Sequence, residues 1–235
     1  MPRFLPRKSL VESSYHSSRW PAPPLFLAAV VCALALLLWL LPDDTRGRLL
    51  GPALTATIAA VSLVYSLGRN QEAGKDQYTL SLVSKRFDDG GYAQNVRMAA
   101  DLARAALITD ATSLKQLKAT VWVDPHDPDK RQPAAYAIYS ILNYWEHVCT
   151  AYVDDRINRQ IFEDLVQDLI RDLVSRYPAI IGDMRREDPT NMEHLCAVWF
   201  VLADGRERAT LARRLGPVPE RLPPFERSRW EAACA

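Results

Sequence analysis

The sequence has little cysteine and almost no net charge. Its 235 residues include four cysteines, Cys32, Cys149, Cys196 and Cys234, which lie far apart and form no Cys-x-x-Cys pair. Thiols this few and this scattered exclude a disulfide-stabilised scaffold. The formal net charge of +1 gives no overall field that would attract nucleic acid or another polyanion. We therefore expect no nucleic-acid partner.

Motifs of the common enzyme classes are also missing. The sequence contains no Gly-x-x-x-x-Gly-Lys-Ser/Thr loop, no Gly-x-Gly-x-x-Gly, no Gly-x-Ser-x-Gly and no His-Glu-x-x-His. Those patterns hold phosphates, dinucleotides, a serine nucleophile and zinc, respectively. Because the four histidines have no matched nucleophile, we expect no enzymatic activity, no catalytic or cofactor-binding residue, no metal ligand and no cofactor.

Long apolar runs, in contrast, are present near the N-terminus. Residues 22–41 and 49–67 carry no charged side chain, and each run is long enough for a helix to cross a hydrocarbon layer of ~30 Å. The segment 42–48 between them contains proline, aspartate and glycine, which favour a turn. The sequence therefore predicts a transmembrane hairpin over 22–67, rather than a cleaved signal peptide or a buried soluble core.

Basic residues flank this predicted hairpin on both outer sides. Segment 1–21 is rich in arginine and basic residues return from Arg69 onward, whereas 42–48 balances two arginines with two aspartates. Lysine and arginine near the ends of a span mark its cytoplasmic side. The sequence therefore predicts a multi-pass protein of a bacterial inner membrane with both termini in the cytoplasm.

Small residues recur at four-residue spacing within the second apolar run, among them Gly51, Thr55 and Ala59. Such a face lets two helices approach closely in lipid. We therefore expect the lipid bilayer as one partner and a second copy, paired through the second span, as another. Ordinary alanine-rich membrane composition is the alternative explanation.

The remaining sequence predicts a cytoplasmic helical domain over 68–203. Apolar residues recur at three- and four-residue spacing over 92–108, 134–153, 158–176 and 179–186. Thr190 and Glu193 form a capping-box pattern that predicts the start of a last helix. No stretch combines strand alternation with hairpin signals, so the expected fold class is all-α.

Two further segments are rich in proline. Residues 121–133 combine proline with aspartate and predict a loop, since proline cannot continue a helix. A divalent cation bound by the aspartates of this loop is the alternative. Residues 204–235 form a basic, proline-rich C-terminal tail with a short helix over 206–215. The tail is typical of a frayed terminus, with a polyproline docking site as the alternative.

The pattern Glu-His-x-Cys occurs twice, at 146–149 and 193–196. Glutamate, imidazole and thiolate are all zinc ligands. On a helix, however, residues two positions apart point ~200° away from each other, so each histidine faces away from its cysteine. The pattern therefore favours buried core cysteines beside surface histidines over a metal site.

The sequence resembles the bacterial domain-of-unknown-function family 4760 at residues 140–146 (Ser-Ile-Leu-Asn-Tyr-Trp-Glu), 154–155, 181–186 and 193–199. The resemblance covers about 70–203 and implies a small helical domain, often found behind membrane spans, with a Leu-Asn-aromatic-aromatic-Glu helix and a downstream arginine. It implies no reaction. A buried Glu146 needs a cation, and we expect Arg185 to supply it as an ion pair that ties two helices together. A ligand site at this pair is the alternative.

These observations favour an uncharacterised, membrane-anchored helical interaction or sensor module that performs no catalysis and binds an unknown protein partner. The alternative is a membrane-perturbing effector of a defence or toxin-like system. A metal-dependent enzyme would depend only on the repeated Glu-His-x-Cys pattern.

Overall fold

The computed structural model describes Cys32 and residues 43–88, 90–125 and 127–234. The described residues belong to two compact units, one that reaches to Lys75 and one that begins again at Asp76. Segment 1–21 and the first predicted span, 22–41, lie outside the described residues apart from Cys32.

One long helix, α1 (Asp43–Asp88), contains the second predicted span. The chain is already helical at Asp43, so the turn predicted over 42–48 is wrong from that residue onward. The uncharged run is only the middle of α1, because charged residues occupy its start and polar residues follow Gly68. Across the described ranges, no helix combines the length and the apolar character that a membrane crossing needs. The prediction of a multi-pass protein of a bacterial inner membrane is therefore wrong, and the first span of the predicted hairpin lies outside the described residues.

Two shorter helices follow, α2 (Gly90–Arg104) and α3 (Leu114–Ala119). Helix α2 ends before the predicted residue 108, and Ala106, just beyond it, has a left-handed backbone with a φ of 55°. Such a conformation ends a helix. Helix α3 starts with a capping box, in which Ser113 Oγ accepts from Gln116 N and Gln116 Oε1 accepts from Ser113 N.

The loop predicted over 121–133 is in fact a β-hairpin. Strand β1 (Val121–Asp124) pairs antiparallel with β2 (Asp127–Pro133), and Trp122 lies opposite Gln132. Trp122 is buried while Val121 and Val123 are exposed, which is the alternation of a half-buried strand. The prolines and aspartates excluded a helix here but not a strand at a sheet edge. The described part of the chain is thus mainly helical, in line with the predicted all-α class, but it also contains this small hairpin.

Four helices form the centre of the fold: α4 (Ala134–Val153), α5 (Arg159–Arg176), α6 (Pro178–Glu187) and α7 (Glu193–Leu202). Helix α4 packs against both α2 and α7. The predicted apolar face of α4 is buried, namely Ile138, Leu142, Trp145, Cys149 and Tyr152. Asn158 caps α5 by accepting a hydrogen bond from Ile161 N. The spacing of apolar residues therefore placed the central helices correctly.

The C-terminal segment (205–234) contains α8 (Gly205–Leu211), a 3₁₀ turn (Ala212–Leu215) and α9 (Pro224–Cys234). It is not a frayed tail, because Leu215, Leu222 and Trp230 are all buried. Trp230 packs against Phe200 of α7 with ring centroids 4.9 Å apart. Its buried apolar side chains hold this segment on the domain, although its proline and arginine content suggested the opposite.

Candidate functional site

Helix α4 brings Glu146 to the start of α7. The Trp145 side chain, one position earlier, is fully buried, whereas Asn143 is exposed and the Glu146 side chain keeps 19% of its area accessible. Glu146 therefore lies at the margin of the buried face, where a carboxylate can reach a neighbouring helix without losing all its solvent.

Helix α7 has no cap from its own sequence. The residue before it, Met192, has a left-handed backbone with a φ of 54° and makes no side-chain capping bond. The capping box predicted from Thr190 and Glu193 does not form: Thr190 donates from its N and Oγ1 to Asp188 Oδ1. Glu193 Oε1 instead accepts from Arg221 N at 2.8 Å. The first amides of α7 consequently need an acceptor from elsewhere.

Glu146 is that acceptor. Its Oε1 accepts from His194 N at 3.0 Å and its Oε2 accepts from Leu195 N at 2.7 Å. A carboxylate at a helix N-terminus satisfies free N–H groups and opposes the positive end of the helix dipole. Glu146 thus caps α7 across a large gap in sequence.

The His194 ring completes the arrangement, with its Nδ1 2.8 Å from Glu146 Oε1. The hydrogen bond to Glu146 raises the pKa of His194, while partial burial acts in the opposite direction. The charges of Glu146 and Glu193 also raise this pKa, and Arg221 lowers it. Glu146 therefore interacts with three donor atoms of α7, and both of its oxygens are occupied.

The predicted ion pair between Glu146 and Arg185 is wrong. Arg185 is fully buried on α6, its Nη1 lies 3.4 Å from Leu215 O, and its guanidinium carbon lies 5.7 Å from the centroid of the Trp230 ring. It faces the C-terminal segment, which the sequence did not identify as part of the core. The carboxylate and the guanidinium therefore serve different parts of the domain.

The two cysteines of the repeated pattern are core residues, as predicted. Cys149 and Cys196 are fully buried. Burial raises the pKa of Cys149 well above its usual value, and the neighbouring Glu146 carboxylate and Cys196 thiol raise it further. Burial also raises the pKa of Cys196 to about 11. Both thiols are therefore protonated at neutral pH, and neither is a ready nucleophile or metal ligand.

The described histidines lie apart from these thiols and from the aspartates of the hairpin. His147 is exposed while Cys149 is buried, as the helical geometry predicted. Among the described residues, no group of three or more His, Cys, Asp or Glu side chains is placed to hold a metal ion. In the hairpin, Asp124 lies 4.0 Å from Lys130 Nζ; His126 lies outside the described residues.

The aromatic pair before Glu146 anchors α4. Trp145 Nε1 donates to Tyr92 Oη of α2 at 2.7 Å, and Tyr144 Oη donates to Leu82 O of α1. The rings of Tyr92 and Tyr144 lie 4.8 Å apart. The sequence showed that this pair stands beside Glu146, but it gave no signal for Tyr92, which comes from a different helix.

Comparison with known protein families gives a match that includes Tyr92, Glu146 and His194. The family described as "Domain of unknown function (DUF4760)" matches residues 53–199, which include α2–α6 and most of α7. The chain belongs to the DUF4760 family. The match confirms the resemblance seen at 140–199, and it ends before the C-terminal segment of this DUF4760 protein. Comparison with curated proteins and with solved structures gives no match.

Proposed function

We propose that this DUF4760 protein is a non-catalytic helical interaction module that self-associates through α1. The observation that carries the proposal is a run of exposed apolar side chains in ten residues of α1. Their exposed fractions are 59% for Ile58, 60% for Leu63, 44% for Val64, 67% for Tyr65 and 52% for Leu67. Exposed apolar surface of this extent is typical of an interaction site.

A second copy of the chain is the occupant that the composition of α1 favours. No charged residue lies between Arg48 and Arg69, so two copies can pair along this stretch without bringing like charges together. Ala56 and Ala60, one helical turn apart, are exposed on the same stretch. Small side chains allow helix axes to approach closely. This surface of α1 is apolar and uncharged and contains small residues, so it is suited to contact with the same surface of a second copy.

The residues that the sequence offered for chemistry support a non-catalytic role. Both carboxylate oxygens of Glu146 accept hydrogen bonds from α7, and a group used in this way is not available as a general base. The thiols of Cys149 and Cys196 are buried and neutral. The most chemically capable side chains thus stabilise the fold.

Sedimentation velocity of the full chain over a range of concentrations tests this proposal. We expect the wild-type protein to form a dimer or larger species, and Leu63→Glu to shift it to the monomer because a carboxylate would be buried at the interface. Leu80→Glu is the matched control, since Leu80 lies on the same helix outside the run and is 50% exposed. A monomeric wild type, or equal effects of the two substitutions, would contradict the proposal.

A further inference from the structure

Among the described residues, Arg185 is a buried basic side chain whose guanidinium lies inside the core. It has no exposed surface, and its Nε and Nη2 find no hydrogen-bond partner among the described residues. Its Nη1 makes a long contact of 3.4 Å with Leu215 O, and the Cys196 thiol and the Trp230 ring also lie against the guanidinium. A buried charge without a partner is strongly unfavourable, so native proteins pair such groups.

The unsatisfied donors lie on one edge of the guanidinium. Nε–H and the adjacent Nη2–H point in parallel, and this edge binds the two oxygens of a carboxylate or phosphate in a bidentate manner. Nη1, on the other edge, is the atom that contacts Leu215 O. The edge suited to an oxyanion is thus the one whose two nitrogens have no hydrogen-bond partner among the described residues.

The buried carboxylates near this region are engaged elsewhere. Glu193 accepts from Arg221 N at 2.8 Å, and Glu226 pairs with Arg229 at 2.9 Å. The charge of Arg185 and a hydrogen bond with it both oppose the rise in the pKa of Cys196, but with a pKa of about 11 this thiol carries no negative charge at neutral pH. Among the described residues, no acidic side chain therefore neutralises Arg185.

A second buried donor belongs to the same cluster. Trp199 Nε1 is buried without a hydrogen-bond partner among the described residues. Its ring lies 6.3 Å from that of Trp230, which in turn lies 5.7 Å from the Arg185 guanidinium carbon. Trp199 and Cys196 are three residues apart and share a face of α7. The cluster is consequently rich in donors and poor in acceptors, which is the complement of an anion.

The C-terminal segment covers this cluster. Gly216 has a φ of 89°, and a Cβ placed on it would lie 3.7 Å from Arg185 Cβ. At Gly182, one turn before Arg185, a Cβ would lie 2.0 Å from Arg214 O. Glycine is required at Gly182 by this close approach and at Gly216 by its positive φ. The backbone of the segment therefore lies directly on α6 around Arg185.

We propose that Arg185, Trp199 and Trp230 form a binding site for an oxyanion, a carboxylate or phosphate group, enclosed beneath the C-terminal segment. The oxyanion takes the Nε and Nη2 edge of Arg185. Entry requires the segment to open, so binding is slow and the protein must be equilibrated with the anion before measurement. This site is independent of the self-association proposed for α1.

Thermal unfolding of the full chain at constant ionic strength tests the site. Chloride is exchanged stepwise for inorganic phosphate in one series and for acetate in another. We expect a saturable rise in Tm of about 5 °C in at least one series. A rise with phosphate identifies a phosphate group as the ligand, and a rise with acetate identifies a carboxylate. No saturable rise in either series would show that ordered water alone satisfies Arg185 and would overturn the proposal.

Substitutions locate the effect. Arg185→Met keeps an unbranched, flexible side chain and removes the charge, so we expect it to abolish the rise in Tm; a retained rise would reject the site. If this variant does not fold, Arg185→Lys replaces it, with an anion affinity at least tenfold weaker than that of the wild type because lysine lacks the two-donor edge. A Lys variant with wild-type affinity would also reject the site.

A matched pair of tryptophan variants completes the test. Trp199→Phe and Trp122→Phe each remove a buried indole N–H that has no partner among the described residues, but Trp122 lies in the hairpin. We expect Trp199→Phe to weaken anion binding and Trp122→Phe to leave it unchanged. Equal effects would contradict the assignment of Trp199 to the site.

Discussion

The two copies of Glu-His-x-Cys have the same residues and lie on adjacent helices, yet they have different roles. The first copy lies within α4, where the backbone amides are already bonded inside the helix. The second copy opens α7, where the first amides have no acceptor within the helix. Glu146 of the first copy therefore caps the second, while Glu193 of the second copy binds the backbone of the C-terminal segment. Position within the helix, and not the pattern, determines each role.

The largest expected effect distinguishes the two glutamates. Glu146→Ala removes an acceptor from two amides and an imidazole, and we expect it to lower the free energy of unfolding by about 3 kcal/mol. Glu193→Ala removes a single bond to Arg221 N and should cost about 1 kcal/mol. Urea unfolding of both variants measures the difference. Equal losses would mean that the two copies are equivalent in spite of their different contacts.

For the two copies of Glu-His-x-Cys, the sequence predicted the burial of both cysteines but not the different partners of the two glutamates. Helical spacing correctly placed Cys149 and Cys196 in the core and His147 on the surface, because burial follows from periodicity along one helix. The partner of Glu146 depends on how α4 and α7 pack, and on Met192, whose left-handed backbone no local pattern indicated.

The same limit applies to Arg185 and to the hairpin. Arg185 is buried by contacts with Leu215 and Trp230. These two residues belong to a segment whose prolines and arginines are typical of an exposed tail. The strands over 121–133 are stabilised by the burial of Trp122, a tertiary contact that outweighs the local preference for a loop. Sequence reasoning identified the mainly helical fold and failed where contacts between distant segments decide the structure.

A smaller effect distinguishes the two histidines. The pKa of His194 is raised in the folded protein, so its contribution to stability is complete below the ordinary value of 6.5 and is lost as the pH rises through the raised pKa. We expect His194→Gln to remove this decline in stability on the alkaline side, and the exposed His147→Gln to retain it. Urea midpoints between pH 5 and about 8 measure both profiles. A profile unchanged by His194→Gln would contradict the contact with Glu146.

The smallest expected effect concerns the buried cysteine that each copy of Glu-His-x-Cys contains. Cys149 and Cys196 are equally buried and both have a raised pKa, so we expect neither to react with an aromatic disulfide reagent in the folded protein. Cys32, which is exposed, should react rapidly under the same conditions. Absorbance of the released thiolate, with and without denaturant, counts the reactive thiols. Fast labelling of Cys149 or Cys196, identified with a Cys→Ala variant of each, would show that one copy opens and the other does not.

The buried position of Trp230 has a consequence for anyone who wishes to isolate the domain. The DUF4760 match ends at residue 199. A fragment that ends there would have Trp199 as its last residue and would lack the core residues Phe200, Leu215 and Trp230. Burying a large aromatic side chain contributes ~2–3 kcal/mol, a sizeable share of the stability of a domain. A fragment intended to fold should therefore include the residues up to α9, so the range that sequence similarity marks is shorter than the unit that can be excised.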